Sequence, residues 1–599
     1  MHFKRLYFLF LMLLLPLVSM AADYSVAPMN VGDWFVRLGD VAATMPVRVT
    51  NYGTQKVSRI SYTLYNVTTQ KSEAEREMTL STPIDNGETA TIQVPLGAGP
   101  TFGQEELIFT VTKVNGNYNS ASVNYTYVER YTVKKVAHKR VLVEDYTGTW
   151  CQYCPAGIIA MESLSRLYPD DFVGVSIHCY NDRLASSVAY QDGMISKWAQ
   201  NFPSVYMNRK DKLAGWDGRS MFENAGKEVT PFEMGVKARW NASKTNINVE
   251  ASVEACMSQS SDVTYAVAYV LTTSGLTGYN QKVDASYKTE NNDPVFDPEF
   301  AVFKNLDNYY QGGYYNTALT FNDVVIASQG ISSGVSETAF SQLAVGSPRY
   351  YQTTFDNISQ YSVIQDPTKL TVIAMLINQK TGQVENVAKC SVSEPTSSFT
   401  LNFNKSPWQT LYSDRAYTLP VGIEAYAVDE TGQLLAFSDG TRTTDVAAHT
   451  ALLLKSTQGS SYTISYTDRQ GSAPTANCLY GSSEDASTYA PGEQTDADVY
   501  YYKLANDTKK GIGFFWGATD GAAFTSKANR CYLVLNRGKL SASKRQGFSL
   551  EGDMTGISTT LSPASASPQT IFDLTGKPVK AAQGAGVYIM DGKKVVRTK

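Results

Sequence analysis

The chain has 599 residues, with 52 Lys and Arg against 56 Asp and Glu, for a net charge of −4. That length calls for several domains, and the absence of a basic stripe argues against a nucleic-acid partner. Abundant tyrosine (38 residues) among many Thr, Val and Gly points to β-rich exported domains. Uneven strand lengths and spacings disfavour a porin-like barrel.

Residues 1–21 read as a secretory signal peptide. His2, Lys4 and Arg5 form a basic start, 6–18 is an apolar run too short to span a bilayer comfortably, and Ser19-Met20-Ala21 is a small-x-small cleavage site. The mature chain is expected to begin near Ala22. No Cys follows the cleavage site, which argues against a lipid anchor, and no later run is long enough for a transmembrane helix.

Residues 24–130 carry strand-like runs at 42–50, 57–66, 89–95 and 107–113. The turns Asn51-Tyr52-Gly53, Asp85-Asn86-Gly87 and Asn115-Gly116-Asn117 separate them. This spacing predicts an immunoglobulin-like β-sandwich. Residues 131–232 change character: strand 140–145, helix 155–167, strand 172–178, a helical pattern near 195–200, a strand after Pro203 and a covering helix over 218–228. Alternating strand and helix predicts a parallel α/β unit.

Between the first strand and helix of that unit stands Cys151-Gln152-Tyr153-Cys154. A cysteine at a helix N-terminus meets free backbone N–H groups and the positive end of the helix dipole, both of which favour thiolate. Cys154, three residues on, lies on the same face and is placed to resolve a mixed disulfide formed by Cys151. Gln152 and Tyr153 bring no positive charge, so helix position has to depress the Cys151 pKa. A zinc site would need more ligands than four scattered histidines and one CxxC provide. An inert structural bridge is the competing reading.

Asp145 and Glu144 end the strand before the motif. Alternation is expected to turn one of them inward, with Asp145 favoured. A carboxylate buried behind the helix would have a raised pKa and serve as a base during resolution. Trp150 and Tyr153 flank the attacking sulfur, either as an apolar platform for a substrate or simply as packing. His178 and Cys179 end a strand and read as core. Cys256 with Cys390, and Cys478 with Cys531, are open to two readings each: a structural disulfide or two buried thiols.

VLVEDYTGTWCQYCP, VGVSIH and NFPSVYMNR together resemble the thioredoxin superfamily, in particular the thioredoxin-like domain of the 28 kDa outer-membrane protein-related family of Bacteroidota. The resemblance implies that Cys151 attacks, Cys154 resolves, Asp145 manages the proton, and Pro203 is a cis-proline facing the motif. In 233–393, YAVAYVLTTSGLTGYNQ and TVIAMLINQKTGQVENVAKC resemble the β domain that follows in the same family, and a β-sandwich is expected there. After a Ser/Pro linker at 393–400, 401–550 resembles a β-rich module of large exported Bacteroidota proteins. Within the tail 566–599, IFDLTGKPVKAAQGAGVYIMDGKKVVRTK resembles the C-terminal sorting domains of type IX secretion.

The fold expected is therefore multidomain and mostly β, with one thioredoxin-like α/β domain. The function expected is an exported thiol–disulfide oxidoreductase-like protein at the outer membrane, cell surface or beyond. Its partners would be protein thiols or disulfides, with further envelope partners for the β modules, and it would need no cofactor and no metal. The alternative is a non-enzymatic surface protein in which the thioredoxin-like part is an inert spacer.

Overall fold

The computed structural model describes residues 22–185, 188–288, 293–304, 306, 309–310, 314–467, 469–488, 499–517, 521–541 and 544–550. Of the tail it describes 571–573, 578–579, 586–590 and 593–597. The signal peptide expected at 1–21 lies outside the described residues. The protein is mostly β, with several separate sheets, in two compact units, Met1–Pro395 and Thr396–Lys599. No described helix is long and apolar enough to cross a membrane.

The first unit opens with two sheets enclosing one core. A three-stranded sheet (Val26–Pro28, Thr44–Asn51, Thr89–Pro95) faces a larger one built on Val57–Asn66, Gly103–Val114 and Tyr125–Val133. Strict alternation buries Met45, Val47 and Val49 from one sheet against Leu107, Phe109 and Val111 from the other.

The rest of this unit is organised by an eleven-stranded sheet. In spatial order it begins Asp211–Lys212, Ser204–Met207, Val141–Thr147, Phe172–His178, Val324–Gln329, Tyr265–Thr273, Leu370–Asn378. Val141–Thr147 and Phe172–His178 pair in parallel, and Ser204–Met207 runs antiparallel to the former. The sheet passes residue 232, where composition shifts from alternating α/β to β, through a parallel Ser176–Val324 contact.

Both faces of this sheet are covered, so Val141–Thr147 and Tyr265–Thr273 are buried at every position. On one face, Val141 and Val143 pack against Ala160, Met161 and Leu164 of the helix Pro155–Leu167 and Phe222 of the helix Arg219–Gly226. On the other, Leu142 and Tyr146 pack against Tyr190 and Met194 of the helix Val188–Trp198. Pro155 opens its helix without losing an intrahelical hydrogen bond, and Pro169, two residues past Leu167, prevents continuation.

The second unit is layered. The sheet containing Trp408–Ser413 and Thr450–Ser456 buries Leu411, Leu452 and Leu454 against the sheet of Ser398–Asn402 and Ser461–Tyr466. Its other face buries Trp408, Tyr412 and Leu453 against the five-stranded sheet of Val499–Asp507 and Arg530–Asn536. The described tail strands Ile571–Asp573, Pro578–Val579, Gly586–Met590 and Lys593–Arg597 form one antiparallel sheet.

Candidate functional site

The strand Val141–Thr147 delivers Asp145 and the turn that follows it to the N-terminus of the helix Pro155–Leu167, where Cys154 is the N-cap. Cys151 is 7% exposed and Cys154 fully buried, and both carry free thiols. The register Tyr146–Ser204 brings Pro203 to the strand end beside the CxxC turn, and the Phe202–Pro203 peptide is cis. Cys151, Cys154, Asp145 and Pro203 thus gather at one end of the sheet.

The two thiols differ sharply. The hydrogen-bonded Cys154 side chain and the backbone N–H groups of Tyr153 and Cys154 hold Cys151 below its ordinary pKa, against the opposing effect of burial. Burial first, then the hydrogen-bonded neighbour Cys151 and the charge of Asp145, push Cys154 strongly up. All seven cysteines are described, and burial likewise raises the others: Cys179, Cys390 and Cys531 to about 12, Cys256 to about 11, and Cys478 upward. Cys151 is the cysteine whose surroundings favour thiolate. Iodoacetamide labelling of the reduced, folded chain should accordingly modify Cys151 with a pH midpoint below that of an ordinary thiol and leave Cys154 untouched. A midpoint at or above the free-thiol value would contradict this assignment.

Alternation does separate the two acids, but both are buried because both faces of the strand are covered. Asp145 faces the CxxC helix. Desolvation, then the nearby Cys151 thiolate, raises its pKa well above the usual carboxylate value. Its carboxylate sits against Gly157, where an added Cβ would lie 2.5 Å from Oδ2, so the helix needs glycine here for the acid to approach. Asp145 Oδ1 has no hydrogen-bond partner and borders a cavity of about 20 Å³, room for one water molecule, shared with Thr147, Glu162, His178 and Asp323. Glu144 points to the opposite face, where Arg209 and Tyr190 bind it.

Several residues that hold the site carry no local sequence signal. The buried Gln281, on the strand Leu276–Asp284, donates from Nε2 to the carbonyl oxygens of Gly148 (3.2 Å) and Cys151 (2.8 Å). Along the same segment the backbone N–H groups of Lys282 and Asp284 donate to Thr149 and Gln152 carbonyls, and the Tyr287 hydroxyl donates to the Tyr153 carbonyl. Asp182 accepts from both the backbone N–H and the hydroxyl of Thr149. His178, read as core, is buried with Nδ1 3.3 Å from Asp182 Oδ1.

Trp150 and Tyr153 are exposed beside Cys151, at 39% and 54%. Trp150 also packs on Phe202 and Tyr180, with ring centroids 5.3 and 6.1 Å away. An aromatic surface therefore flanks the sulfur and the cis-proline, extended by two rings that the motif does not contain. Among the described residues no cluster of His, Cys, Asp and Glu has the makings of a metal site.

No family model matches the chain, and no curated protein matches it. Solved structures that match include HBP35 of Porphyromonas gingivalis, at 13% identity over 55% of this chain and 98% of that one, with a TM-score of 0.28. A protein of Agrobacterium tumefaciens matches at 17% identity over 43% of this chain and 94% of its own, with a TM-score of 0.24. A Ca²⁺-stabilized adhesin with which an Antarctic bacterium binds ice matches at 9% identity, 87% and 92% coverage, and a TM-score of 0.13. None of these three reaches a TM-score of 0.5, and the chemistry of the site stands on this chain's own residues.

Proposed function

We propose that this chain is an exported thiol–disulfide exchange protein working at the outer membrane or cell surface through a thioredoxin-like unit. The observation that carries the reading is the contrast at one helix start. A thiol favoured as thiolate, Cys151, adjoins a buried thiol of raised pKa, Cys154, with a buried acid of raised pKa behind both.

In the reducing direction, the Cys151 thiolate attacks one sulfur of a substrate disulfide and the other sulfur leaves as a thiolate that takes up a proton. Formation of the mixed disulfide removes the Cys151 thiolate charge that helped hold Asp145 protonated, so Asp145 releases its proton. Its carboxylate then takes the Cys154 proton as Cys154 attacks Cys151 Sγ. The second substrate thiolate leaves, and a Cys151–Cys154 disulfide remains. Two electrons pass from the dithiol to the substrate. The aromatic surface of Trp150, Tyr180 and Phe202 gives an unfolded or extended protein segment apolar area to rest on beside the sulfur.

A second reading has its own support. Cys151 is 7% exposed, and strand Leu276–Asp284 grips the turn that carries it, which suits a fixed scaffold inside a surface-binding β protein. Turnover separates the two. The pre-reduced full chain should reduce a disulfide-bonded peptide, and Cys151→Ala should lower that rate at least a hundredfold. Equal rates for the two proteins would leave the scaffold reading standing and remove the exchange reading.

A further inference from the structure

The second unit contains an open cleft of about 530 Å³ that disulfide exchange does not use. Lys405, Lys503, Lys527 and Arg530 line it, and no Asp or Glu does. For a chain of net charge −4, an acid-free concavity holding four cations is a departure from the surrounding composition. Like charges gathered in one cleft repel and raise the local concentration of anions.

The cations are also short of partners. Arg530 Nη1 donates to Gln409 Oε1 at 2.7 Å and to the Thr410 carbonyl at 3.0 Å, which fixes the guanidinium. Its remaining N–H groups have no partner among the described residues. Lys503 Nζ sits 6.0 Å from the centroid of the Phe524 ring, and neither it nor Lys405 is in an ion pair among the described residues. Lys527 pairs with Asp485 at 2.7 Å, an exposed contact of small energetic weight. Gln409, 8% exposed, has a buried Nε2 with no acceptor. The cleft is rich in donors and is lined by no carboxylate.

We propose that this cleft binds an acidic oligosaccharide, a sugar chain bearing carboxylate or sulfate groups. A pre-oriented guanidinium offers paired charge-assisted hydrogen bonds to such a group, with Lys405 and Lys503 placed for neighbouring anions. The half-buried Phe524 ring supplies an apolar face, and the amides and hydroxyls of Asn402, Asn404 and Thr525 match sugar hydroxyls. A single phosphate would leave most of the volume empty. A nucleic acid would meet one half-buried ring instead of a stacking track, and its long polyanion would meet a chain of net negative charge.

The test titrates the full chain with a heparin oligosaccharide, oligogalacturonate, neutral dextran and a short single-stranded DNA, at low and at raised salt. Binding is expected for one or both acidic saccharides, weakening as salt rises, and not for dextran. Arg530→Gln should reduce affinity roughly tenfold or more, the worth of a charged hydrogen bond. Lys405→Gln, at an exposed side chain whose loss leaves the fold intact, should reduce it several-fold. Failure of both acidic saccharides to bind, or unchanged binding in both variants, overturns the proposal. DNA binding as tight as saccharide binding, with the same losses in the variants, overturns the saccharide assignment.

Discussion

Replacing Arg209 by leucine is expected to destabilise the first unit by about 3–5 kcal/mol, the cost of leaving a buried charge without its partner. Arg209 and Glu144 are each 0% exposed at the side chain. Two parallel hydrogen bonds join them, Nε to Oε2 at 2.9 Å and Nη2 to Oε1 at 2.8 Å. Nη1 donates to the Ile331 carbonyl at 2.7 Å, so the same guanidinium ties the strand beside the CxxC to the loop after Val324–Gln329. Arg209 and Asn208 both adopt left-handed backbone, at φ 56° and 50°, a conformation costly for such residues unless side chains hold it. The Leu142 N–H bond to Asn208 Oδ1 and the Arg209–Glu144 fork do so. Double replacement, Arg209→Leu with Glu144→Leu, removes the stranded charge and should recover most of the loss. Denaturant melts and hydrogen exchange at the Val141–Thr147 amides give the readout. A single variant within about 1 kcal/mol of wild type would show that water reaches Glu144 and that the pair is not a buried one.

This pair also shows where the sequence stops being legible. Helix 155–167 and strands 172–178 and 204–207 are predicted at the residues where they form, because prolines 155, 169 and 203 punctuate them and apolar spacing is strong between. Alternation at Glu144 and Asp145 correctly sends them to opposite faces. The expectation that only one is buried assumes a sheet covered on one side. The helix Val188–Trp198 covers the second side, and its pattern, with Gly193 and Asp192 inside, is weak in the sequence. The strand Leu276–Asp284 escapes prediction for a related reason. Its register breaks between Leu276 and Tyr279, so the alternation that buries Gln281 and Val283 is out of step with the start of the strand. Nothing in the sequence marks Gln281 as a residue of the site, although it grips the Cys151 carbonyl from 130 positions away. Asp182 and Gly157 are similar: a short polar side chain and a missing one gain meaning only when folding brings Thr149 and Asp145 beside them.

Asp145→Asn is expected to stabilise the first unit while slowing exchange, two effects of opposite sign from one substitution. Burial and the adjacent Cys151 thiolate raise the Asp145 pKa well above its value in an unfolded chain. At a pH between those two values the folded protein holds a proton that the unfolded chain has released. Stability is therefore fully present below the unfolded carboxylate pKa and declines as pH rises toward the folded one. Asparagine keeps the neutral shape and escapes that decline. The variant should match wild type near pH 4 and exceed it as pH rises, by about 1.4 kcal/mol for each pH unit crossed between the unfolded and folded pKa values. Asp323, pushed up to about 7 by desolvation and then by Glu162, titrates in both proteins, so the difference between them isolates Asp145. Asparagine cannot take the Cys154 proton, and the resolving step should slow by on the order of a hundredfold. Attack by Cys151, read as the rate of its alkylation, should change far less. A pH-independent gap in stability would show that Asp145 is already ionised when folded. Unchanged resolution with a pH-dependent gap would leave the raised pKa in place and give the Cys154 proton a different acceptor.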